Sequence, residues 1–122
     1  MAQATHQATQ QISLVAAADL SAKQYYFADV DSNGKAALAG AGNDFIGVIG
    51  NKPTSGAAAE IIISGICPVV AGGTVAAGDA VKIDSDGKAI TASSGNKAVG
   101  KAISGGAASS QINLLIQPHT VA

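Results

Sequence analysis

The sequence predicts an all-β protein, a small pseudo-twofold β-barrel or sandwich built from two repeats and preceded by an extended N-terminal arm. Ile and Val together number 21 against five Leu, and β-branched side chains favour strands over helices. Residues 27–63 align without gaps on residues 80–116, and turn signals recur about every 8–12 residues. A chain of 122 residues suits one domain, so we expect an arm at residues 1–11 and a single β domain at 12–122.

The internal repeat rests on motifs that recur 53 positions later. The segment DSNGKA at residues 31–36 aligns with DSDGKA at residues 84–89. A Gly-Asn pair at 42–43 aligns with a second pair at 95–96, and the apolar triplet at 61–63 aligns with that at 114–116. Two copies are too few for a solenoid, so the repeat favours a pseudo-twofold barrel or sandwich.

Each copy predicts four strands separated by tight turns. Asn-Gly and Asp-Gly turns need positive φ and mark hairpins, so we assign structural turns to Asn33, Gly34, Asp86, Gly87, Gly47 and Gly100. The predicted strands are residues 26–30, 35–39, 45–49 and 59–63 in the first copy, and 80–83, 88–92, 98–103 and 112–116 in the second. Two further strands are expected at 12–15 and 66–70.

The last strand of each copy carries apolar residues on both faces. Ala59, Ile61 and Ile63 share one face by alternation, which we assign to the core. The opposite face carries Ile62 in the first copy and Leu115 in the second. A half-buried strand would place polar residues there, so either a second layer covers this face or it meets another chain. We therefore name Ile62 and Leu115 as candidates for an oligomer interface.

Composition excludes several classes of protein. The chain has seven Lys, no Arg, a net charge of −1 and 3% aromatic residues, which does not suit a nucleic-acid-binding protein. The N-terminus lacks the basic and apolar regions of a secretory signal. The most apolar window, residues 61–78, contains Pro68 and four Gly, so we interpret it as strands rather than a membrane span.

No residue pattern predicts a metal, cofactor or catalytic site. Asp29, Asp31 and Asn33 match the start of a calcium loop, but Gly40 stands where the closing Glu belongs, so a hairpin turn explains them better. The single Cys67 lies in an apolar setting, and His6 and His119 lie near the chain ends. Such a thiol lacks an obvious base, so we expect no enzyme activity.

A carrier function remains as an alternative. Lys88, and Lys35 in the first copy, lie beside hairpin tips, as does the modified Lys of lipoyl and biotinyl carrier domains. Those carriers place the Lys at the tip itself, whereas here it follows Gly. A solvated Lys at the edge of a strand is the simpler interpretation.

The chain resembles the small capsid decoration (cement) proteins of tailed bacteriophages. The resemblance covers residues 12–116 and is clearest in GDAV at 78–81, Gly87, GNKAVGKA at 95–102 and INLLI at 112–116. These segments are similar to the pattern Gly-Asp-x-Val … Gly … Gly-x-Ala … Val-x-Leu that those proteins share. A structural β-module of a phage tail, fibre or cell-surface assembly is the alternative interpretation.

The resemblance implies a virion protein, made in the host bacterial cytoplasm, that binds the outer surface of an expanded capsid. Such proteins often act as homotrimers and clamp neighbouring major capsid subunits, with no cofactor, nucleic acid or membrane involved. An ordered arm can reach an adjacent subunit by strand addition. Position and polarity then make Gln7, Gln10, Gln11 and Ile12 the candidates for capsid contact.

Overall fold

The computed structural model describes residues 7–41 and 44–122, and these residues form nine β-strands with no helix, and therefore no membrane-spanning helix, among them. The all-β prediction is confirmed. The strands are β1 (Gln7–Val15), β2 (Phe27–Val30), β3 (Ala36–Leu38), β4 (Gly47–Ile49), β5 (Ala58–Val70), β6 (Ala80–Ile83), β7 (Ala89–Thr91), β8 (Lys97–Ala102) and β9 (Gln111–Thr120).

The strands form one curled antiparallel sheet with the shape of a half-barrel. Its order is β3-β2-β4-β5-β9-β8-β6-β7, and β1 pairs with β5 outside this path. β5 and β9 therefore lie in the middle, while the hairpins β2–β3 and β6–β7 lie at the two ends. The ends meet, because the N–H of Phe27 donates to the Gly87 carbonyl at 2.9 Å.

Strand β5 is one continuous element where the sequence predicts two strands, at residues 59–63 and 66–70. It passes through Gly65, whose φ of 96° is readily adopted only by Gly. The strands β1 and β4 pair with its first part, and β9 pairs with residues 66–70. Because both parts of β5 are paired, the chain stays extended across Ser64 and Gly65. β5 therefore belongs to both halves of the sheet.

Strand pairing in the first half matches strand pairing in the second. The pairs β2–β3, β2–β4 and β4–β5 correspond to β6–β7, β6–β8 and β8–β9. Every residue pair of these first-half pairings recurs 53 positions later: Val48 faces Ile62, for example, and Lys101 faces Leu115, while β8 and β9 form three additional pairs. Equivalent positions in the two halves can therefore be compared directly.

Two clusters of buried side chains lie on opposite faces of β5. Ile61 belongs to the smaller cluster, together with Ile49. Ile62 points the other way, into the larger cluster with Phe27 and Leu114, and it is 0% exposed. The assignment of Ile62 to an oligomer interface is therefore corrected, because a second layer of the same chain covers it.

Gly47 and Gly100 lie inside strands β4 and β8 rather than in turns, which corrects their assignment from the sequence. A Cβ at Gly47 would clash with the Ile62 carbonyl oxygen, and a Cβ at Gly100 would clash with that of Leu115. Both glycines therefore allow a neighbouring strand to approach closely. Gly34 and Gly87, by contrast, have φ of 76° and 80° in the hairpin turns.

The expected boundary between an arm and a domain falls inside strand β1. Residues 1–6 of the expected arm, with His6, lie outside the described residues. From Gln7 onward the chain is strand, paired with β5 through Val15. Gln10, Gln11 and Ile12 face Ser64, Ile62 and Ile61 respectively, so these arm candidates form part of the sheet. Irregular register around Gln10 and Gln11 marks a bulge.

Candidate interaction surfaces

Strand β1 is an edge strand that carries no charge. It pairs only with β5 among the described residues, so its other edge offers unpaired backbone groups. Its sequence, QATQQISLV, contains neither a charged residue nor Pro, the features that usually protect such an edge. An unprotected edge is a template for a further strand.

The direction of the free backbone groups follows from one hydrogen bond. The N–H of Ala16, directly after β1, donates to the Ala57 carbonyl at 2.9 Å. Because this direction alternates along a strand, the N–H groups of Ser13 and Val15 point away from β5. Ile12 and Val15 are 39% and 46% exposed, so apolar side chains accompany these free donors and acceptors.

The capsid-contact candidates from the sequence therefore lie together on one edge. Gln10, Gln11 and Ile12 are exposed, and the Ser64 hydroxyl donates to Gln10 Oε1 at 3.4 Å. Gln7 continues the strand at its backbone. The interface candidate Leu115 lies elsewhere, half-buried in β9 between Lys101 of β8 and Ile66 of β5.

The two hairpins with the DSxGKA motif share their internal geometry. Asp31 Oδ1 accepts hydrogen bonds from the N–H groups of Asn33 and Lys35, both at 2.9 Å. Asp84 Oδ1 accepts the matching pair of bonds from Asp86 and Lys88, also at 2.9 Å. The Asp of each motif thus holds its own turn, which is why an Asp suits the first position.

This geometry also answers the calcium alternative at Asp29 and Asp31. The Oδ1 atom of Asp31 is already held by two backbone N–H groups. Within residues 7–41 and 44–122, no cluster of three His, Cys, Asp or Glu side chains could hold a metal ion. What the structure shows at this segment is the turn held by Asp31.

Cys67 and His119 do not form a nucleophile and base. Cys67 is 0% exposed, and burial raises the pKa of its thiol to about 12, so the reactive thiolate does not form near neutral pH. His119 is exposed on β9, where its Nδ1–H donates to the Gln117 carbonyl at 2.7 Å. Cys67 instead fills the larger core cluster.

The lysines of the carrier alternative differ in their surroundings. Lys35 is exposed at the β2–β3 hairpin, whereas Lys88 is half-buried with its Nζ 5.8 Å from the Tyr26 ring centroid. Neither residue sits at a hairpin tip, because each one follows the turn Gly and directly precedes the returning strand. The geometry is that of a Lys beside an aromatic face, not of a presented attachment point.

Two surface features have no counterpart in the sequence interpretation. Val30 is 43% exposed at the end of β2, although its strand partner Ala36 is buried. An open groove of about 520 Å³ runs beside the β6–β7 hairpin, where Lys82 Nζ donates to Asn96 Oδ1 at 3.1 Å. Neither feature follows from a local motif, since each depends on which segments the fold brings together.

A family model described as phage cement protein matches residues 4–117 of the chain. No curated protein sequence gives a significant match. Among solved structures, the chain is similar to the head fiber gp8.5 N base in bacteriophage phi29, with a TM-score of 0.69 and 15% sequence identity. The match covers 93% of this chain and 98% of that chain, and at this identity it shows a shared fold.

Proposed function

Because the chain belongs to the phage cement protein family, we propose that it binds the outer surface of an expanded phage capsid and stabilises contacts between major capsid subunits. Membership of this family supports a structural role in association with the phage capsid. The finer proposal, which names the surface and the clamping role, rests on strand β1. The virion is its site of action, and the host bacterial cytoplasm is where it is made.

The observation that carries the proposal is the uncharged free edge of β1. Backbone groups at Ser13 and Val15 point outward, and Ile12 and Val15 expose apolar area beside them. A strand of a major capsid subunit can add to this edge, with main-chain bonds giving affinity and side chains giving register. Gln7, Gln10, Gln11 and Ile12 belong to this contact.

Binding of this kind stabilises the capsid without any catalysed reaction. A ligand that binds only the assembled, expanded state favours that state by mass action. Many copies on one shell raise the effect, since each capsid offers many equivalent sites. We further propose that the protein acts as a homotrimer and that Leu115, half-buried on β9, contributes to contact between copies.

The test is co-sedimentation with expanded phage heads stripped of accessory proteins. Ser13→Pro removes an outward N–H and leaves the bonds from β1 to β5 in place, as Pro is tolerated at edge positions. We expect saturable pelleting of the wild type at a fixed ratio to capsid subunits, and at least tenfold weaker binding of Ser13→Pro.

The matched control is Ser13→Ala, which loses the hydroxyl but keeps the N–H and should bind as the wild type does. Circular dichroism of both variants establishes that the sheet is intact. Equal binding by the Pro variant would remove β1 from the contact. A wild type that stays in the supernatant would instead favour a tail or fibre module.

A further inference from the structure

The two equivalent hairpins have different surroundings. Gly87, at the tip between β6 and β7, is buried: its carbonyl accepts the Phe27 N–H at 2.9 Å. A Cβ on Gly87 would lie 2.8 Å from Leu38 Cδ1 and 3.0 Å from the Ala39 carbonyl oxygen. Gly34, at the tip between β2 and β3, is exposed, and a Cβ there would meet nothing within 4 Å.

The strands that lead into these tips differ in the same way. Ile83 precedes the second tip and is 2% exposed, whereas Val30, at the equivalent position before the first tip, is 43% exposed. Both face a buried Ala across the hairpin. At its base each hairpin is held alike, because the Ala36 carbonyl accepts the Ala17 N–H at 2.8 Å and the Ala89 carbonyl accepts the Gly72 N–H at 2.7 Å. The difference is at the tips: Gly87 lies against Leu38 and Ala39, whereas Gly34 meets no such surface within the described part of the chain.

The surface that receives the second hairpin also has an equivalent. Phe27, Leu38 and Ala39 form the receiving surface at the end of the first half. Ala80, Thr91 and Ala92 occupy the corresponding positions, 53 residues later, in β6 and after β7. Phe27 is buried and Leu38 half-buried, whereas Ala80 is half-buried and Thr91 exposed; Ala39 and Ala92 are both buried. Within residues 7–41 and 44–122, the tip of the first hairpin and the Ala80–Thr91 side of the second receiving surface are therefore less covered than their equivalents.

We propose that the Asp31–Lys35 hairpin of one copy docks on Ala80, Thr91 and Ala92 of a second copy, as the Asp84–Lys88 hairpin docks within the chain. This rests on the proposed self-association and not on capsid attachment. The contact joins two different surfaces, so repetition closes a ring if the rotation allows it. A ring of three copies agrees with the homotrimer proposed above.

Leu115 and Lys101 flank the same receiving surface. Leu115 is the equivalent of Ile62, which belongs with Phe27 to the larger core cluster. Lys101 stands where the first half has the buried Val48. The second surface is thus more polar than the first, as suits a surface that meets solvent before assembly. We expect its contact to be reversible and dependent on protein concentration.

The direct test is a disulfide between copies. Asn33→Cys at the hairpin and Thr91→Cys at the receiving surface are placed in separate chains, mixed, and oxidised with copper–phenanthroline. Both positions are exposed, while native Cys67 is buried and stays reduced. We expect a cross-linked dimer from this mixture and not from Asn33→Cys mixed with Ser55→Cys, an exposed site in another turn.

Sedimentation equilibrium of the isolated protein supplies the second measurement. Val30→Lys should shift the mass toward the monomer, with at least tenfold weaker association. Ile103→Lys changes a side chain of similar exposure, 49%, outside the contact and should leave the mass unchanged. A monomeric wild type, a Val30→Lys variant that keeps its mass, or equal cross-linking at Ser55→Cys would each overturn the proposal, whatever the result with capsids.

Discussion

At the scale of single residues, backbone proximity determines which glycines are essential. Gly47 and Gly100 face the carbonyl oxygens of Ile62 and Leu115 too closely for any Cβ. Gly40 has ordinary φ and open space around its Cβ position. Sequence patterns assign Gly47 and Gly100 to turns, and only the distance to a neighbouring strand separates them from Gly40.

We expect Gly47→Ala to lower the free energy of unfolding by about 1–3 kcal/mol, because β4 must move away from β5 to admit the methyl group. Urea denaturation followed by circular dichroism measures this change. Gly40→Ala serves as the control and should leave stability unchanged or slightly raised. Similar midpoints for the two variants would contradict the close approach at Gly47.

Cys67 should make stability fall in alkaline solution. Burial raises its folded-state pKa from 9.0 to about 12, so between these values the unfolded chain loses a proton that the folded chain keeps. The contribution of the thiol to stability is therefore full below pH 9 and is lost as pH rises toward 12. Cys67→Val should show a smaller loss of stability from pH 8 to 10 in parallel urea titrations.

At the scale of elements, β5 has buried faces on both sides and β9 does not. Ile61 and Ile62 are both 0% exposed, because the smaller and larger clusters cover opposite faces of β5. In β9, Leu114 is 0% exposed while Leu115 is only half-buried. Equivalent apolar pairs thus have unequal roles, because the larger core cluster covers Ile62 whereas Leu115 belongs to neither cluster.

Ile62→Ala should therefore cost about 2–5 kcal/mol of unfolding free energy, as is usual when a buried Ile is truncated. Leu115→Ala should cost clearly less in the monomer, since part of that side chain already meets solvent. Urea denaturation at low protein concentration, where association is minimal, compares the two. Equal losses would mean that the faces of β5 and β9 are equally covered.

At the scale of the whole molecule, the two halves share a strand and a core. β5 pairs with β1 and β4 of the first half and with β9 of the second. The larger cluster joins Phe27, Val48 and Ile62 to side chains of the second half. Neither half can bury its apolar surface alone, so the halves should fold as one cooperative unit.

A fragment of residues 66–122 tests this dependence. It keeps β6–β9 and the end of β5 but loses the side chains that cover its core, so it should lack the β-sheet signal of the full chain by circular dichroism. The full chain should unfold in one transition, with the same midpoint by circular dichroism and tyrosine fluorescence. A folded fragment, or two separate transitions, would contradict the shared core.

The sequence by itself determined the all-β class and the hairpins at Gly34 and Gly87. These depend on local chemistry: β-branched composition, alternation, and turns that need Asp and Gly at fixed positions. The resemblance to cement proteins likewise depends on the spacing of residues along the chain, and the family match agrees with it.

Only the tertiary structure decided which of two equivalent positions is buried. The continuity of β5, the burial of Ile62, the tight approach at Gly47 and the exposure of Val30 all depend on contacts between segments distant in sequence. Equivalent motifs carry the same local signal, so no sequence pattern distinguishes a docked hairpin from a free one. The second hairpin is docked because Leu38 and Ala39 of the first half lie against Gly87, while no segment among the described residues lies against Gly34 in the same way.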